Sequence, residues 1–210
     1  MNALTFTLKK SPTNKIDCGR LTPNYLAGLS LTQIKNLSLT SSKNSLKVSD
    51  YFEVSGNNSE NIVFKNPSNQ LDFIGQKMSH GSIICQSDVG DRVGDQMRRG
   101  LILIDGNAGD YLASGMVAGT IGVYGSVGKY VGFGMKRGTI LLNNKTNFHA
   151  TIQDCGTHNL PFLALLFQSF KAFPSKFNAM KNQRVQRYAG DLACNGNGEI
   201  LVLTPQEAIF

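Results

Sequence analysis

The chain has 210 residues, 41% of them hydrophobic, with a formal net charge of +7. That length holds one core with small flanking elements, and the basic balance favours an acidic partner, an anionic ligand or nucleic acid without choosing among them. Its four cysteines (18, 85, 155 and 194) form no CxxC pair, there is no basic-then-apolar secretory leader, and no apolar run reaches membrane-spanning length, so the reading is a soluble protein of the reducing cytoplasm.

Residues 4–8 (LTFTL) alternate and predict a strand. Thr22 followed by Pro23 reads as an N-cap with proline at the first helical position, opening a short helix to Ala27. Residues 31–34 predict a second helical turn capped by Ser30, and residues 37–39 a short strand. Residues 51–54 and 62–64 read as strands joined by the turn-rich 55–58. Residues 1–61 are thus expected to form a capping module with one task, covering the open end of a stack built from the middle of the chain.

The middle of the chain is a repeat. NQLDFIGQKM from Asn69, DVGDRVGDQM from Asp88, NAGDYLASGM from Asn107 and SVGKYVGFGM from Ser126 each start 19 residues after the last. Met78, Met97, Met116 and Met135 fall in register, as do Gly81, Gly100, Gly119 and Gly138, and Gly90, Gly109 and Gly128. The apolar residues alternate, so the repeat is built of strand, and nineteen residues leave no room for a crossover helix. The expected fold is mainly β, a right-handed parallel β-helix of about four coils over residues 62–142, with glycines supplying positive-φ corners. Its inner columns are Ile83/Ile102/Ile121/Ile140, Cys85/Ile104/Val123/Leu142, Val89/Ala108/Val127 and Ile74/Val93/Leu112/Val131. Tandem hairpins of a propeller or sandwich are the alternative, and they suit a strict 19-residue register less well.

Residues 143–210 read as a C-terminal cap or docking segment. After Pro161 comes a helix with Phe162, Leu166 and Phe170 on one face and Leu163 and Phe167 beside it. Phe162, Leu166, Phe167 and Phe170 are its partner-docking candidates. Lys171, Lys176, Lys181, Arg184 and Arg187 come next without an acid among them, then a Gly/Asn turn and a strand over 199–203.

Candidate chemistry is sparse. Cys155 and His158, with His149 and Cys194, supply metal-ligand types without a second matched pair, so no metal is expected. His80 reads as a solvated corner residue. Asp88, Asp91, Asp105 and Asp110 could stack for acid–base work, but such residues more often bond their own turns. The glycine-rich stretches lack the lysine and helix of a phosphate loop. No catalytic residue is expected. The two positions after each Met read Ser79-His80, Arg98-Arg99, Val117-Ala118 and Lys136-Arg137, so Arg98, Arg99, Lys136 and Arg137 would stack as a basic corner, either a solvated edge or a strip for a polyanion.

The repeat resembles the GXGXG β-helix shared by the C-terminal domain of glutamate synthase and the C subunit of formylmethanofuran dehydrogenase. Three flanks favour the second: LTPNYLAGLSLTQI (21–34), VSDYFEVSG (48–56) and RYAGDLACNGNGEILV (187–202). Over nearly its whole length the chain looks like this C-subunit family, most of all the member found in the bacterial formyltransferase/hydrolase complex. The resemblance implies a non-catalytic scaffold in methylotrophic one-carbon metabolism. Its complex passes a formyl group from tetrahydromethanopterin to a methanofuran-type coenzyme and releases formate. The implied partners are an amidohydrolase-like subunit, a dehydrogenase-like B subunit and a formyltransferase, with the metal in another subunit and no cofactor in this chain. The coenzyme's glutamate-rich tail would be an anion for the basic corner. Family members carry more 19-residue coils than the four here. The alternatives are the C subunit of an archaeal-type formylmethanofuran dehydrogenase, an enzyme acting through the Asp ladder, or a basic nucleic-acid-binding solenoid.

Overall fold

The computed structural model describes residues 2–39, 46–181 and 183–203. The alternating Ala3–Leu8 forms β1, buried on every second residue. Phe52–Ser55 forms β3, antiparallel to β1, and Asn58–Lys65 forms β4, parallel to β1 on its other side. Each repeat then contributes one short strand: β6 (Ser82–Cys85), β7 (Leu101–Ile104), β8 (Thr120–Val123) and β9 (Arg137–Leu142). All pair in parallel, so Ile62, Ile83, Ile102, Ile121 and Ile140 stand in one column. A sixth isoleucine completes it. β12 (Asn197–Leu203) returns to pair with β9 and sets Ile200 against Ile140. With β10 (Gln153–His158) and β11 (Val185–Gly190) antiparallel beyond β12, the result is a ten-stranded, mostly parallel sheet. β2 (Ile16–Asp17) and β5 (Leu71–Asp72) form a separate two-stranded ladder.

The segments that connect the strands also bond to their counterparts one repeat on. Phe73 N–H donates to Asp91 O at 2.9 Å, Arg92 N–H to Asp110 O at 2.8 Å and Tyr111 N–H to Lys129 O at 2.8 Å. The larger core gathers apolar residues of the strands and of the segments that connect them, and it includes the four register methionines, each 0% exposed. A flexible unbranched thioether fills such corner space without demanding one shape. Cys18 and Cys85 sit in the same core, and burial pushes both thiols up, which makes them inert.

The helices are short. α1 (Pro23–Leu26) starts with Pro at its first turn behind Thr22. α2 (Leu31–Lys35) carries a capping box between Ser30 and Gln33. α3 (Val48–Tyr51) takes Tyr51 out of the expected strand, and its first turn is closed by Lys47 N–H donating to Asp50 at 2.7 Å. The strand expected over 37–39 reduces to one bridge, Ser38 to Lys47. α4 (Phe162–Phe170) packs on the outer face of the sheet, where Val63, Ile84, Leu103, Leu141 and Leu201 point away from the larger core.

The face that α4 buries differs from the one its pattern suggests. Leu163, Phe167 and Phe170 are buried, Leu166 lies at the margin, and Phe162 and Leu165 are 42% and 77% exposed. Because the helix is apolar almost all round, periodicity alone could not select the side that meets the sheet. Phe177, in the 3₁₀ turn Lys176–Ala179, packs against Phe170 and fills the space over Gly122, where a Cβ would come within 2.9 Å of its ring.

Candidate functional site

The repeated acids hold the stack together. Asp72 Oδ1 accepts from Asp91 N–H at 2.8 Å, Asp91 Oδ1 from Asp110 N–H at 2.9 Å and Asp110 Oδ1 from Lys129 N–H at 2.8 Å. A second ladder runs beside it, Asp88 to Asn107 N–H at 2.7 Å and Asn107 to Ser126 N–H at 2.8 Å. Each side chain therefore satisfies the backbone of the next repeat and not that of its own turn. A Cβ on Gly90, Gly109 or Gly128 would lie 2.0, 2.0 or 2.2 Å from these carboxylates, so those glycines supply space. Gly81, Gly100, Gly119 and Gly138, with φ from 78° to 110°, are the positive-φ corners.

Asp105 acts differently. It is buried, accepts from Ser175 Oγ at 2.5 Å and from Lys176 N–H at 2.8 Å, and so fastens the segment after α4 to the sheet. Lys176 also lies over the Tyr124 ring at 5.1 Å. His80 pairs with Glu60 at 2.9 Å. His158 Nε2 lies 2.8 Å from the Cys155 carbonyl, and among the described residues no three His, Cys, Asp or Glu side chains gather as metal ligands.

Arg98, Arg99, Lys136 and Arg137 are all exposed, and none forms an ion pair among the described residues. The backbone stacks their corner: Arg98 N–H donates to Met78 O at 2.8 Å, Val117 N–H to Met97 O at 2.8 Å and Lys136 N–H to Met116 O at 2.7 Å. Val117 and Ala118, the uncharged rung, line a recess of about 330 Å³ with Lys136, Arg137, Asn195 and Asn197. An apolar floor beside two cations suits an anion with an aliphatic stem.

A second column was not expected from the sequence. Phe73, Arg92, Tyr111 and Tyr130 recur at the same 19-residue step. Arg92 lies 4.7 Å from the Tyr111 ring centroid, and Tyr111 stacks on Tyr130 at 4.9 Å with the planes 19° apart. The Phe133 ring is nearly perpendicular to both tyrosines, and His149 lies 6.5 Å from Tyr130. His149 Nε2 is buried without a hydrogen-bond partner among the described residues. Nearby, Asp191 accepts from Gly134 N–H at 2.9 Å and Ala193 N–H at 2.9 Å, joining the C-terminal turn to the last repeat. Burial raises its pKa, but these bonds and one from Thr151 outweigh that and hold it below its ordinary value. The signal was present, since position five of each repeat block is Phe, Arg, Tyr or Tyr. A pattern of apolar columns and paired acids does not contain it.

No family model matches the chain. The C subunit of the formyltransferase/hydrolase complex Fhc of Methylorubrum extorquens is 34% identical over 88 residues, 42% of this chain and 33% of that protein. The C subunit of the tungsten-containing formylmethanofuran dehydrogenase 2 of Methanothermobacter wolfeii is 30% identical over 94 residues, 42% of this chain and 35% of that protein. The matched segment thus spans about a third of the curated relatives. Among solved structures, a chain of the M. extorquens formyltransferase/hydrolase complex (FhcABCD), crystallised with methylofuran, matches with a TM-score of 0.50 and 26% identity, covering 95% of this chain and 99% of that one. In sequence the chain is similar to the C subunits of the formyltransferase/hydrolase complex and of formylmethanofuran dehydrogenase, and in fold to a chain of the former complex.

Proposed function

We propose that the chain is a non-catalytic scaffold, the C subunit of a cytoplasmic formyltransferase/hydrolase complex that moves a formyl group between tetrahydromethanopterin and a methanofuran-type coenzyme and releases formate. The observation that carries this reading is the structural match to a chain of such a complex over 95% of the present one. The stacked repeats of residues 62–142 are read as coils of a right-handed parallel β-helix, with 1–61 covering one end and 143–210 supplying the docking segment. Backbone bonds that recur at the 19-residue step in both the sheet and the connecting segments support that closed-coil reading. Its repeated acids are committed to backbone bonds, which supports placing the catalytic groups and the metal in other subunits. The alternative, the C subunit of an archaeal-type formylmethanofuran dehydrogenase, rests on the 30% identity to the M. wolfeii protein.

Isolating the tagged chain from its own cells and identifying what accompanies it tests the reading. An amidohydrolase-like subunit, a dehydrogenase-like B subunit and a formyltransferase are the expected companions. Recovery of the chain alone, or with nucleic acid, overturns it.

Within this reading Arg98, Arg99, Lys136 and Arg137 hold or steer an acidic tail, of the coenzyme or of a neighbouring subunit. Two rungs separate the pairs by ~10 Å, comparable to the Debye length at ~0.1 M salt, so one extended anion feels both. Reversing Arg98 and Arg137 to glutamate is expected to raise the coenzyme's apparent KM or loosen the complex, more at low than at high salt, with the melting temperature unchanged. Kinetics and assembly that stay constant across a salt series return these residues to a solvated edge. For α4, the exposed Phe162 and the marginal Leu166 are the docking candidates, whereas Phe167 and Phe170 support them from below.

A further inference from the structure

The corner column of Phe73, Arg92, Tyr111 and Tyr130 is costly to build. All four hold left-handed backbone, with φ of 60°, 58°, 59° and 59°, which glycine or asparagine adopts with less strain. Stacking between rungs offsets part of that cost. It does not account for Tyr130 and Phe133 remaining 43% and 49% exposed. Neither phenolic hydroxyl of Tyr111 and Tyr130 has a hydrogen-bond partner among the described residues.

Both faces of Tyr111 are taken. Tyr111 lies between Arg92 and Tyr130, whereas Tyr130 stacks on Tyr111 with the His149 ring 6.5 Å away and tilted by 38°. Bases and sugars stack on open faces, so Tyr111 suits neither. The column carries the exposed rings of Tyr130 and Phe133, two hydroxyls without a partner among the described residues, the Arg92 guanidinium and the exposed Lys129 beside Tyr130. The hydroxyls and the two cations favour oxygen acceptors, and the exposed rings an apolar surface around them. The acid that faces Arg92, Asp95 at 3.8 Å, is buried and already accepts from Gln76 and Gln96. Tyr, Phe and Arg are also the residue types enriched at the cores of protein interfaces.

We infer that this column is a protein-docking edge for an apolar, carboxylate-bearing surface on another subunit, an inference that rests on the proposed scaffold function. The test uses the full tagged chain, isolated with its complex from its own cells. Tyr130→Ser with Phe133→Ser is expected to lower recovery of one subunit at least tenfold while the others stay and the chain's own melting temperature holds. Tyr130→Glu is expected to do the same by repulsion, and Tyr130→Phe, which keeps the ring and removes only the hydroxyl, to lower recovery less than Tyr130→Ser with Phe133→Ser. A photo-crosslinking phenylalanine analogue at position 133, which keeps the ring, is expected to capture a partner peptide rich in Asp and Glu. Full retention of every subunit by the serine and glutamate variants overturns the inference and leaves the scaffold reading standing. So does a crosslink to a second copy of this chain, to lipid or to nucleic acid. A wild-type chain that emerges without subunits removes both.

Discussion

Replacing Phe167 with serine is expected to destabilise the protein by about 3–5 kcal/mol, the range for deleting a buried aromatic side chain, with the burial of an unpaired hydroxyl adding to it. Phe167 is 2% exposed and packs with Phe170 against the outer face of the sheet. Against a typical total of ~5–15 kcal/mol, that loss is enough to free α4 and bare Leu103 and Leu141. Urea unfolding followed by circular dichroism measures it, and Leu165→Ser is the control. At 77% exposure, Leu165 should change stability by no more than about 0.5 kcal/mol. A Phe167→Ser protein that unfolds at the parent's midpoint would show that α4 does not cover this face.

Gly109→Ala is expected to cost about 3 kcal/mol or more, although alanine is small and the backbone there needs no left-handed φ. The new methyl would lie 2.0 Å from Asp91 Oδ1 and 2.8 Å from the Gly90 backbone. The chain cannot back away without breaking the 2.9 Å bond from Gly109 N–H to Gly90 O. If Asp91 swings aside instead, Asp110 N–H loses its acceptor and Lys15 one of its two carboxylates. A double-mutant cycle separates strain from lost bonding: Asp91→Ala removes the closest atom, so Gly109→Ala should cost less in that background. Additive effects would mean that the clash with Gly90, and not the carboxylate ladder, dictates glycine here. Gly28→Ala gives the contrast, since φ there is 75° with nothing within 4 Å and only backbone strain applies.

Much of the fold was legible in the residues because a repeat multiplies every signal. Ile83, Ile102, Ile121 and Ile140 identify one another by register, and the parallel pairing follows from the lack of room for any other connection. Outside the repeat that redundancy vanishes. β10 (QDCGTH) has no apolar alternation because it is an exposed edge, and β11 begins inside a basic run whose charges mask Val185 and Tyr188. β2 and β5, at two residues each, are set by the partner they meet and not by propensity. The acids were visible as a column, but turn-forming and rung-bridging carboxylates share one sequence pattern. Only the stacking direction tells them apart. Arg98, Arg99, Lys136 and Arg137 could be grouped by their position in the repeat, whereas the Tyr111–Tyr130 stack was missed because mixed aromatic and cationic residues match no single periodic class.

The isoleucine column also has a timetable. A ribosome lays down its rungs in order up to Ile140, and the next rung in space, Ile200, arrives only after residues 143–196 have been made. At ~5–20 residues per second that is a wait of roughly 3–11 s, during which β9 is a growing stack's bare parallel edge. Leu141 and Leu142 stand on its two faces, each 0% exposed once the protein is complete. Such an edge recruits whatever strand reaches it first, including that of a neighbouring nascent chain. The long excursion through α4 therefore sets a clock on biosynthesis, and slow translation or a truncated message leaves the protein sticky at one defined end.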